Sequence, residues 1–137
     1  MNRTLRLVLP WFTLALVAVA AAALRYGMIE PPAVANLCTA NGGPAWCAWR
    51  QWAVLGFLSY GYGYAALTAA FIALFWRHPL PAWLAAALGV AALVLYCFEA
   101  GAFALLVGVL RLLRAQADSL SPGPQHRPGE GEVQHQP

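Results

Sequence analysis

Three stretches of this chain carry no charged residue over lengths that a helix needs to cross a lipid bilayer. They are Leu7 to Leu24 (18 residues), Gln51 to Trp76 (26) and Pro79 to Phe98 (20). About 20 apolar residues span the hydrocarbon core, and inside lipid only helices or closed barrels satisfy every backbone donor and acceptor. The runs are rich in Ala and Leu and lack the alternation of strands, which selects helices. Charged residues make up 9% of the 137, and hydrophobic ones 61%, against about 25% charged in an ordinary soluble domain. A soluble fold of this length could not cover itself with so little polar surface. The expected fold class is an all-α integral membrane protein, with the lipid bilayer as its first partner.

The N-terminal run follows "MNRTLR" and passes through "AVAAAA" before Arg25, an outline that imitates a secretory signal. Its apolar core exceeds the usual 7–15 residues, so it reads as a retained first helix, residues 5–24. The connection that follows, 25–51, is kept from forming one helix by Pro31, Pro32, Gly42, Gly43 and Pro44. A second helix is expected over 52–76, and "RHPLP" ends it and starts the next. Leu80 to Leu110 is then 31 residues with a single charge, Glu99. As one helix it would measure about 46 Å, against a hydrocarbon core of about 30 Å.

Arginine positions favour two helices there, 80–97 and 101–115. With the N-terminus inside, Arg3, Arg6, Arg77, Arg111 and Arg114 face the cytoplasm and only Arg25 and Arg50 lie outside, the positive-inside pattern. One long tilted helix is the alternative, since "YCFEAG" makes a poor turn. The expectation is a bundle of four (alternatively three) transmembrane helices over residues 1–116. It would lie in a bacterial inner membrane, N-terminus cytoplasmic and the 25–51 loop periplasmic. Residues 117–137 are polar and rich in Pro and Gly, and are expected to form a disordered tail.

The net charge of +3 comes from eight arginines, seven of them set at the ends of apolar runs and Arg127 alone in the tail. That is a pattern of membrane flanks and not a nucleic-acid surface, which would gather on one face. Within the second run Gly56, Ser59, Gly63, Ala66 and Ala70 recur at threes and fours, one stripe of a helix. Ala15/Ala18/Ala22 and Ala85/Gly89/Ala92 repeat the rhythm. Small stripes let helices approach closely in lipid, so these faces are expected to pack, internally or against a partner subunit or second copy. Tyr60 and Tyr64 share a face of "SYGYGY", with Tyr62 opposite, and packing accounts for them. Arg25 and Glu99 each continue a small-residue stripe toward the outer end, where they are expected to form an ion pair.

Cys38 and Cys47 bracket a Gly-Gly-Pro segment in the loop assigned to the outside, where disulfides persist. They are expected to form a structural disulfide, with Cys97 free. A redox role would resemble, in helix count, the quinone-coupled disulfide generators of the DsbB and vitamin K epoxide reductase families. Those carry a C-x-x-C pair beside the quinone; here eight residues separate Cys38 from Cys47. The chain has no glycine-rich phosphate loop, H-E-x-x-H or Ser/His/Asp set, and no metal or other cofactor is expected. The functional expectation is a non-catalytic accessory or scaffold protein that docks through small-residue helix faces. The alternative is a membrane thiol–disulfide or quinone-linked oxidoreductase using Cys38, Cys47 and Cys97.

Overall fold

A computed structural model describes residues 3–40 and 43–120. Of the expected tail, residues 121–137 lie outside the described residues. Those described form helices and no strand. The elements are α1 (Arg3–Leu24), which runs on into a π-helical turn (Arg25–Ile29), α2 (Pro32–Thr39), α3 (Cys47–Leu58), α4 (Gly61–Phe75), α5 (Pro79–Val94) and α6 (Phe98–Leu120). By length and composition Thr4–Ile29, 26 residues without a break, is the one continuous helix among the described residues long and apolar enough to cross a membrane. The α3–α4 pair qualifies only if taken as one bent span.

The expected helix over 52–76 is broken. The axis turns by 64° between α3 and α4, at Tyr60, whose φ of 58° is left-handed. Tyrosine adopts that region at a cost, so neither glycine nor proline announced this bend. The uncharged stretch from Leu80 onward is likewise two helices. Tyr96, with φ 69°, makes the turn, and the Cys97 N–H bonds Ala92 O at 2.8 Å. The last helix starts earlier and ends later than expected, so 117–120 are helical. The 25–51 connection is largely helical too, holding the π turn, α2 and the start of α3. Pro32 and Pro79 sit in first turns, where a missing N–H costs nothing. At α5 the Leu80 N–H also donates to His78 Nδ1, 3.2 Å.

The central helix is α5, which packs against α1, α4 and α6. Arg25 at the end of α1 bonds Val94 at the end of α5, and Trp83 Nε1 near the start of α5 donates to Thr13 Oγ1 in α1 at 3.0 Å. These two helices therefore run parallel. At the opposite end Arg111 Nε donates to Ala73 O at 2.9 Å and its Nη2 to Leu74 O, so α4 and α6 run parallel to each other and antiparallel to α5. Gln116 closes that end, accepting from Trp11 Nε1 (3.2 Å) and donating to Leu7 O (3.0 Å).

The core is built from alanine. Ala66, Ala70, Ala73, Ala85, Ala92 and Ala104 surround Cys97 in one cluster, and Ala82, Ala86 and Ala87 join Leu14 and Leu112 in another. With side chains this short, cohesion comes from close backbone approach and summed dispersion. The contacts are tightest between α5 and α6. A Cβ on Gly89 would fall 2.5 Å from Leu105 N, and one on Gly101 2.6 Å from Leu93 N.

Candidate functional site

The sequence features that could carry chemistry collect at one end of the bundle, around the π turn, α2, α3 and the α5–α6 turn. The disulfide is formed, joining Cys38 in the last turn of α2 to Cys47 at the start of α3. Beside it lies a cleft of about 620 Å³ lined by Gly43, Pro44, Arg50, Gln51 and Val54 together with both cysteines. Its one charged side chain is engaged elsewhere: Arg50 Nε donates to Met28 O at 3.1 Å and Nη2 to Ile29 O at 3.4 Å. Arg50 thus satisfies carbonyls at the end of the first helix, where no further turn does so. Among its lining residues the cleft offers no carboxylate, imidazole or free thiol.

Cys97 is in a different place. It is 1% exposed and packs among Ala66, Ala92, Ala104, Phe57, Tyr60 and Tyr62, none of which lines the cleft. A thiol enclosed in that way is positioned as a small core residue. Exchange with the disulfide would require the α5–α6 turn to open.

Arg25 pairs with Glu30 and not with Glu99, correcting the expectation from sequence. Its Nε lies 2.9 Å from Glu30 Oε1, its Nη1 donates to Val94 O at 3.0 Å, and its guanidinium stacks 4.1 Å from the Tyr96 ring centroid. The cause is the π turn. In an α-helix residues five apart point about 140° away from each other. The wider turn, closed by the Glu30 N–H to Arg25 O at 2.9 Å, brings them onto one side. Tyr96 completes the cluster by donating its hydroxyl to Glu30 Oε1 at 2.7 Å. Glu99 instead accepts from Tyr60 at 3.3 Å. Both left-handed tyrosines are therefore held by a carboxylate, a pairing the sequence did not signal.

The hydrogen bond from Tyr96, and then that from Arg25, hold the Glu30 carboxyl below the ordinary glutamate range. A lowered carboxylate pKa stabilises the fold above the unfolded value of about 4.3, and that contribution fades as pH falls through the lowered folded value. Thermal stability measured down to pH 3 should therefore fall in the native protein, and this part of the fall should vanish in Glu30→Gln. In double-mutant cycles Arg25→Ala and Glu30→Ala should be non-additive, whereas Arg25→Ala and Glu99→Ala should add. Additivity in the first cycle would remove Arg25–Glu30 as a working contact.

The five-residue stripe of the second run is divided. Ala66 and Ala70, both fully buried, face the core from α4. Gly56 lies in α3 and Ser59 caps its end, beyond the bend. Ser59 is exposed and bonds its own helix at Leu55 O, 2.7 Å. Gly56 and Gly63 make room for rings and not for a second backbone: a Cβ on Gly56 would fall 2.7 Å from Tyr62 Cζ, and one on Gly63 2.5 Å from Tyr60 Cε1. Tyr62 folds back over α3 and donates to Ala53 O at 3.3 Å, while Tyr60 and Tyr64 meet edge to face at 5.7 Å. The helix-to-helix glycines are Gly89, Gly101 and Gly108. The first belongs to the Ala85/Gly89/Ala92 stripe of α5, and the other two lie in α6. In α1, Ala15 is exposed, and Leu14 and Ala21 are the buried positions.

Among the described residues no three His, Cys, Asp or Glu side chains gather as metal ligands. No family model matches the chain, and no curated protein or solved structure matches it either.

Proposed function

We propose that the chain is a small multi-pass protein of a bacterial inner membrane, N-terminus in the cytoplasm and Cys38–Cys47 loop in the periplasm. Its role is that of a non-catalytic accessory or scaffold subunit. Helices α1, α4, α5 and α6 cross the membrane in alternate directions, and α3, bearing Trp49 and Trp52 with Trp46 capping its start, lies along the outer interface. Trp49 and Trp52 are 76% and 73% exposed, which suits rings at the boundary between headgroups and hydrocarbon.

One observation carries the docking role: the outward face of α1. Leu5, Val8, Phe12, Leu16 and Val19 recur at threes and fours and are each at least half exposed, a continuous apolar face. Their helix rests on the bundle through its other side, against α5. Exposed Ala15 and Ala23 lie on the same outward side, where small residues permit a second helix to come close. The α4, α5 and α6 stripes are used within the bundle, so the outward face of α1 is the one left for a partner.

A photoreactive residue at Val19 should give one protein adduct of defined mass in intact cells, and none from the buried position Leu14. Adducts with lipid alone from both Phe12 and Val19 would remove the scaffold role. Release from membranes by alkaline carbonate would remove the membrane assignment. Stoichiometric quinone on the purified protein would point to the oxidoreductase instead.

A further inference from the structure

At the end of the bundle away from the disulfide, the α4–α5 link faces the last turns of α6. Arg77, His78, Arg111, Arg114 and Asp118 line a cleft there of about 440 Å³, with buried Ala82 beneath them. Positions 111, 114 and 118 are spaced so that α6 presents all three on one side. Three guanidinium groups thus meet a single carboxylate. Among the described residues the one ion pair is Arg25 with Glu30, so none of these arginines is paired with a carboxylate of the described residues. Arg111 is held in place by the carbonyls of Ala73 and Leu74 through Nε and Nη2, which leaves Nη1 for another acceptor. The side chains of Arg77 and Arg114 have no hydrogen-bond partner among the described residues.

Collecting like charges in a concave site is unfavourable unless an anion shares it. Arginine's planar fork matches phosphate oxygens two at a time. Directly before Arg77 in the chain lies an apolar groove of about 480 Å³, formed by Phe71, Ile72, Phe75 and Trp76. Phe71, Phe75 and Trp76 are each more than 60% exposed. The basic cleft and the aromatic groove thus take consecutive residues, Arg77 and Trp76, into their linings. Free phosphate would use the first and leave the second bare, whereas a phospholipid uses both.

We infer that this cleft and groove hold an anionic phospholipid, its phosphate among Arg77, Arg111 and Arg114 and an acyl chain along Phe71 and Phe75. The inference rests on the membrane assignment above, and it places the lipid in the cytoplasmic leaflet, where basic pockets between helices take acidic headgroups.

Native mass spectrometry of the full chain in detergent, titrated with phosphatidylglycerol or phosphatidylcholine of the same acyl chains, tests it. The native protein should bind phosphatidylglycerol about tenfold more tightly, with one lipid retained. Arg77→Gln with Arg114→Gln should abolish that preference while leaving Arg111 to cap α4. Because neither replaced side chain bonds the rest of the fold, the variant should keep the native helical content and melting temperature. Phe75→Ser should weaken both lipids together. An unchanged preference in the double arginine variant would overturn the inference. So would glycerol 3-phosphate or inorganic phosphate competing as well as the lipid, because the occupant would then be a soluble anion. Insertion into neutral phosphatidylcholine vesicles reports the membrane assignment separately. Loss of insertion condemns that assignment, and insertion without headgroup preference condemns only the lipid site.

Discussion

Gly108→Ala should lower the unfolding free energy by about 3 kcal/mol, at the upper end of what overpacking a well-filled core costs. The added methyl would fall 2.7 Å from Ala82 O and 2.8 Å from Ala86 Cα, and closer still to Ala86 N. All three are backbone atoms of α5, so no rotamer change makes room. The helices themselves must separate, and with them the buried line of Ala82, Ala85, Ala86 and Ala104. Gly27→Ala is the matching control. A Cβ there meets nothing within 4 Å, and replacing a helical glycine in open space reduces unfolded-chain freedom and stabilises by about 0.4–1 kcal/mol. The measurement is denaturant or thermal unfolding in mild detergent. If Gly108→Ala stayed within about 0.5 kcal/mol of the native protein, the range of an ordinary surface change, close α5–α6 approach would not be what holds this bundle.

Removing the disulfide has the next largest expected effect. Cys38 and Cys47 close a loop of ten residues, which in the chain-entropy treatment is worth about 2.5–3 kcal/mol. The double replacement Cys38→Ser, Cys47→Ser should cost that much. The enclosed segment contains Gly42, Gly43 and Pro44, and the two glycines give the open chain much freedom to recover. Alkylation separates the three cysteines. The native protein should expose no reactive thiol, since Cys97 is buried. Unfolding without reductant should release one thiol, and unfolding with reductant three. A pair found mostly reduced in membranes from growing cells would show that the bond turns over, and the oxidoreductase would then displace the scaffold.

Much of the fold was legible because it depends on local chemistry. Long uncharged runs rich in Ala and Leu have only helices open to them, and "RHPLP" can only interrupt. The division of the stretch around Glu99 could be read from arginine positions, although its turn residue could not. Pairing of Cys38 with Cys47 followed from their shared loop and from the lack of a C-x-x-C spacing. For function the sequence offered exclusions and the expectation of a membrane setting, since no motif ties these residues to a reaction.

What the sequence determined by itself, then, is the helical class, the proline-marked link before α5 and the disulfide partners, each set by contacts within a few residues. Tertiary structure alone decided the bends at Tyr60 and Tyr96. A left-handed tyrosine is unfavourable in isolation by about 1–2 kcal/mol, and it is held here by hydroxyl bonds to Glu99 and Glu30 from distant or separate helices. It also decided that Arg25 meets Glu30, because a π turn and not an α turn ends the first helix. Spacing shows which small residues share a face, but not which face finds another backbone. Gly63 received the ring of Tyr60, and Gly108 received α5, which the turn at Tyr96 folds against α6.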